Sequence, residues 1–166
     1  LSAGKWTDFG EVPDGPTDKR VPVLAAHDVD GKLIAVLANY ACHCTTETGE
    51  FNQISGDWGG RCYIDLLAGL AHMEQQPYID TNRMFSAGAS FGGYMMNWFQ
   101  GNTTKFKTLV THCGVYNFES MYTTTEELWF DEYEHGGPPW GENRESYEKH
   151  SPHKYAANFK TPMLII

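Results

Sequence analysis

Long apolar runs are missing from this chain. No stretch reaches the ~18 consecutive apolar residues that a membrane-spanning helix requires. No basic segment followed by a short apolar core opens it, as a secretory leader would. It begins at Leu1 rather than Met, which fits a chain whose N-terminal portion was removed or never included. Basic residues are also scarce, 12 Lys and Arg against 21 Asp and Glu, for a formal net charge of −9. That balance argues against nucleic acid and anionic membrane surfaces as partners, because both need a positive field. Only four cysteines occur, Cys42, Cys44, Cys62 and Cys113. Their uneven spacing does not make the disulfide framework of a small secreted domain. Cys42-His43-Cys44 invites a zinc reading. In an extended segment, however, Cys42 and Cys44 point to one face and His43 to the other, so the three cannot converge on one ion without a bend. Internal repeats and low-complexity tracts are absent.

What is present is ordinary globular composition, 41% hydrophobic and 20% charged, in a length that suits one domain. Aromatic residues are abundant and crowd the stretch from Tyr94 to Trp140, as in a pocket wall or a thick core. Residues 1–20 are polar and turn-rich, with Pro13-Asp14-Gly15-Pro16 a breaker cluster. Two apolar runs, 21–27 and 32–40, flank Asp28-Val29-Asp30-Gly31 and predict an antiparallel hairpin. Residues 44–58 read as a loop. From Gly60 the positions Tyr63, Leu66, Leu67, Leu70 and Met73 fall at helical spacing. Residues 83–87 read as a short buried strand and 92–100 as a helix. Residues 106–112 read as the next strand and 115–150 as a long irregular or helical excursion. Ser151-Pro152 predicts a helix start, running to Asn158, before a final strand at 161–166. From Asp57 onward this alternation predicts a parallel sheet with helical crossovers, so the fold class is α/β.

The chemistry concentrates at Gly88-Ala89-Ser90-Phe91-Gly92, a G-x-S-x-G pattern between the strand and the helix. A strand turning sharply into a helix lifts the serine hydroxyl out of the backbone at the top of a sheet, a nucleophile elbow. The flanking glycines remove side chains that would block so tight a turn. The positive end of the following helix, with the Phe91 amide, suits a developing oxyanion. In an α/β-hydrolase the acid and then the histidine follow the serine along the chain. The acid normally follows a later strand, and Ile166 lies in such a strand, so both partners are expected beyond the last residue. Within the chain His112, His135, His150 and His153 are the local candidates for a base. His112 is nearest by topology, since it ends the neighbouring strand. Trp129, Phe130, Tyr133 and Trp140 suit either the wall of an apolar pocket or the core. The acids Glu126, Glu127, Asp131, Glu132 and Glu134 read as a solvated face, and Asp57 and Asp65 as structural caps or loop ties.

Residues 57–166 resemble the catalytic domain of the prolyl oligopeptidase family, in its acylaminoacyl-peptidase and dipeptidyl-peptidase branch. The resemblance rests on Asp57-Trp58-Gly59-Gly60 with Tyr63 and Asp65, on 77–83, and on Gly88-Ala89-Ser90-Phe91-Gly92-Gly93-Tyr94. It continues through 111–117, Ser151-Pro152 and the final run. It implies a partial α/β-hydrolase sheet with Ser90 as nucleophile and Phe91 as an oxyanion donor. It also implies a peptide or ester substrate and no cofactor, and Tyr116, Trp129 and Trp140 are the residues expected to line a substrate pocket. The family's acid and histidine would follow Ile166, its upstream oxyanion tyrosine has no clear place here, and its β-propeller is absent.

Residues 12–58 resemble a different group, the N-terminal domain of neutral/alkaline ceramidase-like proteins. The matching pieces are Val21-Pro22-Val23-Leu24, Asp30-Gly31-Lys32, Asn39-Tyr40-Ala41-Cys42-His43 and Ile54-Ser55-Gly56-Asp57. That resemblance implies zinc at His43, although the other ligands have no counterpart. Together the two resemblances predict a hairpin-containing segment over 1–56 joined to a partial hydrolase domain over 57–166, a possible chimera. The expected function is a serine hydrolase acting through an acyl-enzyme at Ser90, weak or incomplete in this chain. The alternatives are a zinc-dependent amidohydrolase and a non-catalytic fragment. A sheet ending at Ile166 with an uncovered edge also predicts a homo-oligomer.

Overall fold

A computed structural model of the chain describes residues 22–38 and 60–166. Cys42, His43, Cys44, Asp57 and the Pro13–Pro16 cluster lie outside the described residues.

The hairpin forms where the turn signal places it. Strands β1 (Val23–His27) and β2 (Leu33–Ala38) pair antiparallel, with Val23 opposite Ala38 and Ala26 opposite Ala35. The Asp28 carboxylate accepts the amides of Asp30 at 3.0 Å and Lys32 at 2.8 Å, closing the turn on itself. Gly31 supplies the left-handed residue, at φ 81°. Most side chains of the hairpin are exposed, Leu24 and Leu37 among them.

The second described segment alternates helix and strand. Helix α1 spans Gly60–Glu74, followed by β3 (Phe85–Ala89), α2 (Phe91–Asn102) and β4 (Thr108–His112). Short helices α3 (Phe118–Thr124), α4 (Leu128–His135) and α5 (Arg144–His150) follow, then a 3-10 turn over Pro152–Asn158 and β5 (Met163–Ile165). The three strands form a parallel sheet in the order β3-β4-β5. Phe85 pairs with Thr108, Ala89 with His112, and Leu109 with Met163. This is the α/β architecture that the alternation of apolar periods predicts, and the N-terminal hairpin forms a separate two-stranded sheet.

Helix α2 carries the core. Gly93 through Gly101 are all buried, because α2 lies on the sheet face bearing Leu109 and Thr111 and is flanked by other elements. Tyr94, Trp98, Phe99, Phe106, Phe118, Tyr122 and Tyr147 fill that core. The rings meet at edges and offsets, Tyr94 on Phe118 at 5.3 Å and Trp98 on Tyr155 at 5.1 Å between centroids, which is how aromatic quadrupoles prefer to pack. Helix α1 adds Cys62, Tyr63 and Leu70 from its inner stripe, and the Tyr63 hydroxyl donates to the Asn102 carbonyl at 2.9 Å.

The excursion is tied down by a few polar groups. Asn117 caps α3, its side-chain oxygen accepting the Ser120 amide at 3.1 Å. Gly136 ends α4 in the left-handed conformation. Buried Ser151 accepts the Phe118 amide at 3.0 Å and donates to the Tyr147 carbonyl at 2.7 Å, joining α3 to α5. The turn after it does start at Pro152, as a 3-10 turn rather than an α-helix.

Two sequence readings need correction. β3 is not buried, since its residues alternate between exposed and half-buried and Phe85 is 70% exposed. It lies at one edge of the sheet, and Phe85 sits on the face away from α2, which no described helix covers. The acid run is not one solvated face either. Asp131 is only 1% exposed, because α4 turns it inward together with His135.

Candidate active site

Ser90 occupies the junction between β3 and α2 with φ 55° and ψ −120°. A positive φ is uncommon for a residue with a side chain, so the surroundings must hold it there. They do so from both sides. The Ser90 amide donates to the His112 carbonyl at 3.0 Å, tying the turn to the end of β4. The Tyr94 amide donates to the Ser90 carbonyl at 2.9 Å, opening α2. A Cβ on Gly88 would lie 2.3 Å from the Gly92 carbonyl oxygen, so only glycine lets the strand and helix approach this closely. The result is an exposed serine at the C-terminal end of the parallel strands, at the positive end of a helix whose first residue is Phe91.

The histidines do not converge on this serine. His112 is exposed, and its Nδ1 lies 3.1 Å from the Cys113 Sγ. By strand alternation its side chain shares the face of Val110, away from α2. His135 is buried, with Nδ1 2.9 Å from the Ser146 hydroxyl. His150 Nδ1 meets the Ser146 carbonyl at 2.9 Å, and His153 Nδ1 meets the Tyr116 carbonyl at 3.3 Å. Among the described residues none is hydrogen-bonded to the Ser90 hydroxyl.

The aromatic candidates divide. Tyr116 is partly exposed beside His153 and Phe159. Trp129 and Trp140 are each 60% exposed, Trp129 edge-on to Phe130 and Trp140 edge-on to Tyr122. Neither tryptophan belongs to the buried core. A shallow depression lined by Asn117, Arg144, Tyr147, Glu148, Ser151 and Lys154 does not include Ser90.

The sequence reading named Asp131 and His135 separately but missed their shared burial. Asp131 and His135 stand four residues apart on α4, and both carboxylate oxygens and the His135 Nε2 are buried without a hydrogen-bond partner. Burial raises the Asp131 pKa to about 6 and lowers that of His135 to about 3, with His150 adding to the second shift. Both groups are therefore neutral near pH 5. The signal was their i, i+4 spacing, which puts them on one helix face. As for metals, among the described residues no three His, Cys, Asp or Glu side chains are grouped to hold an ion.

Comparison with known proteins bears on this geometry. Residues 33–166 match the prolyl oligopeptidase family. The match starts within β2, upstream of Asp57. The chain is 41% identical over 118 residues to dipeptidyl-peptidase 5 of Porphyromonas gingivalis, a span of 69% of this chain and 17% of that protein. Dipeptidyl-peptidase 5 of Schizosaccharomyces pombe matches with the same identity and coverage. The chain thus spans about a sixth of the length of these curated relatives. Among solved structures, Pyrococcus horikoshii acylaminoacyl peptidase superposes with a TM-score of 0.61 at 30% identity, over 69% of this chain and 19% of that one. An acylaminoacyl peptidase bound to Z-Gly-Gly-Phe-chloromethyl ketone gives 0.62 at 30% identity, over 72% and 20%. The zinc-dependent reading gains no support from these matches. With the elbow at Ser90, the parallel sheet beneath it and a match covering 33–166, this chain belongs to the prolyl oligopeptidase family.

Proposed function

We propose that this chain carries the nucleophile of a serine peptidase and that Ser90 forms an acyl-enzyme with a peptide or ester substrate. The observation that carries the reading is the backbone of Ser90, held at positive φ between a parallel strand and a helix N-terminus. That arrangement presents Oγ to an incoming carbonyl carbon. The carbonyl oxygen then becomes an oxyanion near the Phe91 amide and the positive end of α2. The names of the relatives, dipeptidyl-peptidase and acylaminoacyl peptidase, support a peptide as the substrate.

A serine hydroxyl needs a base to accept its proton, and no described histidine side chain is hydrogen-bonded to the Ser90 hydroxyl. We place the base and its orienting acid outside the described residues, in keeping with the resemblance that puts both after Ile166. Loss of a triad member costs orders of magnitude, leaving roughly 10³–10⁴-fold over water from binding and the oxyanion hole. The 166-residue chain alone should therefore turn over only activated short-chain esters, whose leaving groups depart without protonation. Ser90→Ala should abolish that activity, and peptide hydrolysis should stay undetectable. Full esterase activity in the Ser90→Ala variant would sink the proposal.

A further inference from the structure

We propose that Thr111 and Asn97 are positioning residues that lock the nucleophile turn onto the end of β4, an inference that rests on Ser90 being the nucleophile. Ser90 is held at a φ that its own side chain disfavours. Its one amide bond to β4, to the His112 carbonyl, fixes a single point. The next turn of α2 needs a second and a third, and two buried side chains supply them. The Thr111 hydroxyl, 3% exposed, donates to the Gly93 carbonyl at 3.0 Å. The Asn97 amide, 6% exposed, donates to the Gly114 carbonyl at 3.2 Å and the Val115 carbonyl at 3.0 Å.

The three ties bracket one backbone contact. A Cβ on Gly114 would lie 2.2 Å from the Gly93 carbonyl carbon, and a Cβ on Gly93 would lie 2.5 Å from the His112 carbonyl oxygen. Helix α2 and the strand end are therefore pressed backbone to backbone, three residues past Ser90. Thr111 holds the helix side of that contact from the strand. Asn97 reaches from the second turn of the helix to hold the strand side. Cys113, between them, takes φ 42°, a second side-chain-bearing residue kept in the left-handed region. The two side chains bond carbonyls of the first turn of α2 and of the turn that follows β4. That placement sets the direction of the α2 N-terminus, hence of the Phe91 amide, and the depth at which Ser90 Oγ emerges.

Hydrogen exchange at individual amides of the intact chain tests the lock without depending on any reaction. Thr111→Val keeps the shape and removes the hydroxyl, and Thr111→Ser restores it. Thr111→Val and Asn97→Leu should speed exchange at the Ser90 amide about tenfold or more, leaving amides in the middle of α2 unchanged. Thr111→Ser should match the parent. The rate at which a fluorophosphonate phosphonylates Ser90, with fluoride leaving phosphorus, should fall in the same two variants by roughly ten- to a hundredfold, since misplacement of a reacting atom by about 1 Å has that scale of effect. Parental exchange in Thr111→Val, or equal effects of Thr111→Val and Thr111→Ser, would overturn the assignment. The Thr111 pair decides the question even where Asn97→Leu fails to fold. A parent chain that shows the exchange pattern while its esterase activity survives Ser90→Ala would refute the nucleophile reading and leave the lock standing.

Discussion

At the scale of single residues, the contrast between two glycines shows how the site constrains the sequence. Gly93 meets the His112 carbonyl where a Cβ would sit, whereas Gly69 on α1 has open space around the same position. Gly93→Ala should destabilise by about 1–3 kcal/mol, as overpacking does. Gly69→Ala should stabilise by about 0.5–1 kcal/mol through helix propensity and unfolded-chain entropy. Urea unfolding of the two variants checks both signs, and equal effects would remove the claim that the elbow is packed backbone on backbone. Ser90 itself was legible from sequence because an elbow is local, with glycines and an apolar helix within a few residues. Its partners were not, because a triad is assembled by residues far apart in the chain. His112 illustrates the limit. Topology brings its backbone to Ser90, while strand alternation sends its side chain to the opposite face of the sheet.

Among the elements, α4 makes the clearest test. Asp131 is held protonated to about pH 6 in the fold, against an ordinary value of 3.8. The folded chain thus binds more protons through that window, and this group's contribution to stability falls as pH rises from about 4 to 6. His135 runs the other way. Its pKa is lowered from 6.5 to about 3, so its contribution is complete above pH 6.5 and is lost as pH falls. In the parent the two slopes oppose each other. Relative to the parent, Asp131→Asn should gain stability as pH rises from 4 to 6, and His135→Phe should gain as pH falls from 6.5 to 4. Urea midpoints measured across pH 4–7 report both, and differences that stay flat with pH would show that neither group is buried as described. The hairpin, α1, α2 and β4 were legible from apolar period and turn chemistry, Asp28 and Gly31 above all. The helices of the excursion were not, because α3, α4 and α5 are short and held by tertiary bonds such as those of Ser151. Nor was the exposure of β3, since apolar content marks a strand without showing what covers it.

At the scale of the whole molecule, the described sheet exposes large apolar side chains on its face away from α2. Phe85, Leu164 and Ile166 lie on the sheet face away from α2 and are 70%, 55% and 64% exposed, and Leu24 and Leu37 of the hairpin add to the exposed apolar area. Such area favours association, opposed here by a net charge of −9. We expect a dimer or larger species whose proportion grows with salt, as screening weakens the repulsion. Light scattering that gives the mass of one chain at high concentration and high salt would contradict this. The central claim concerns Ser90, and covalent labelling tests it most directly. The intact chain, treated with a fluorophosphonate and analysed by mass spectrometry, should gain one adduct that peptide mapping places on Ser90. Ser90→Ala should gain none under the same conditions. An adduct on another residue, or equal labelling of parent and variant, would show that the elbow does not carry the nucleophile.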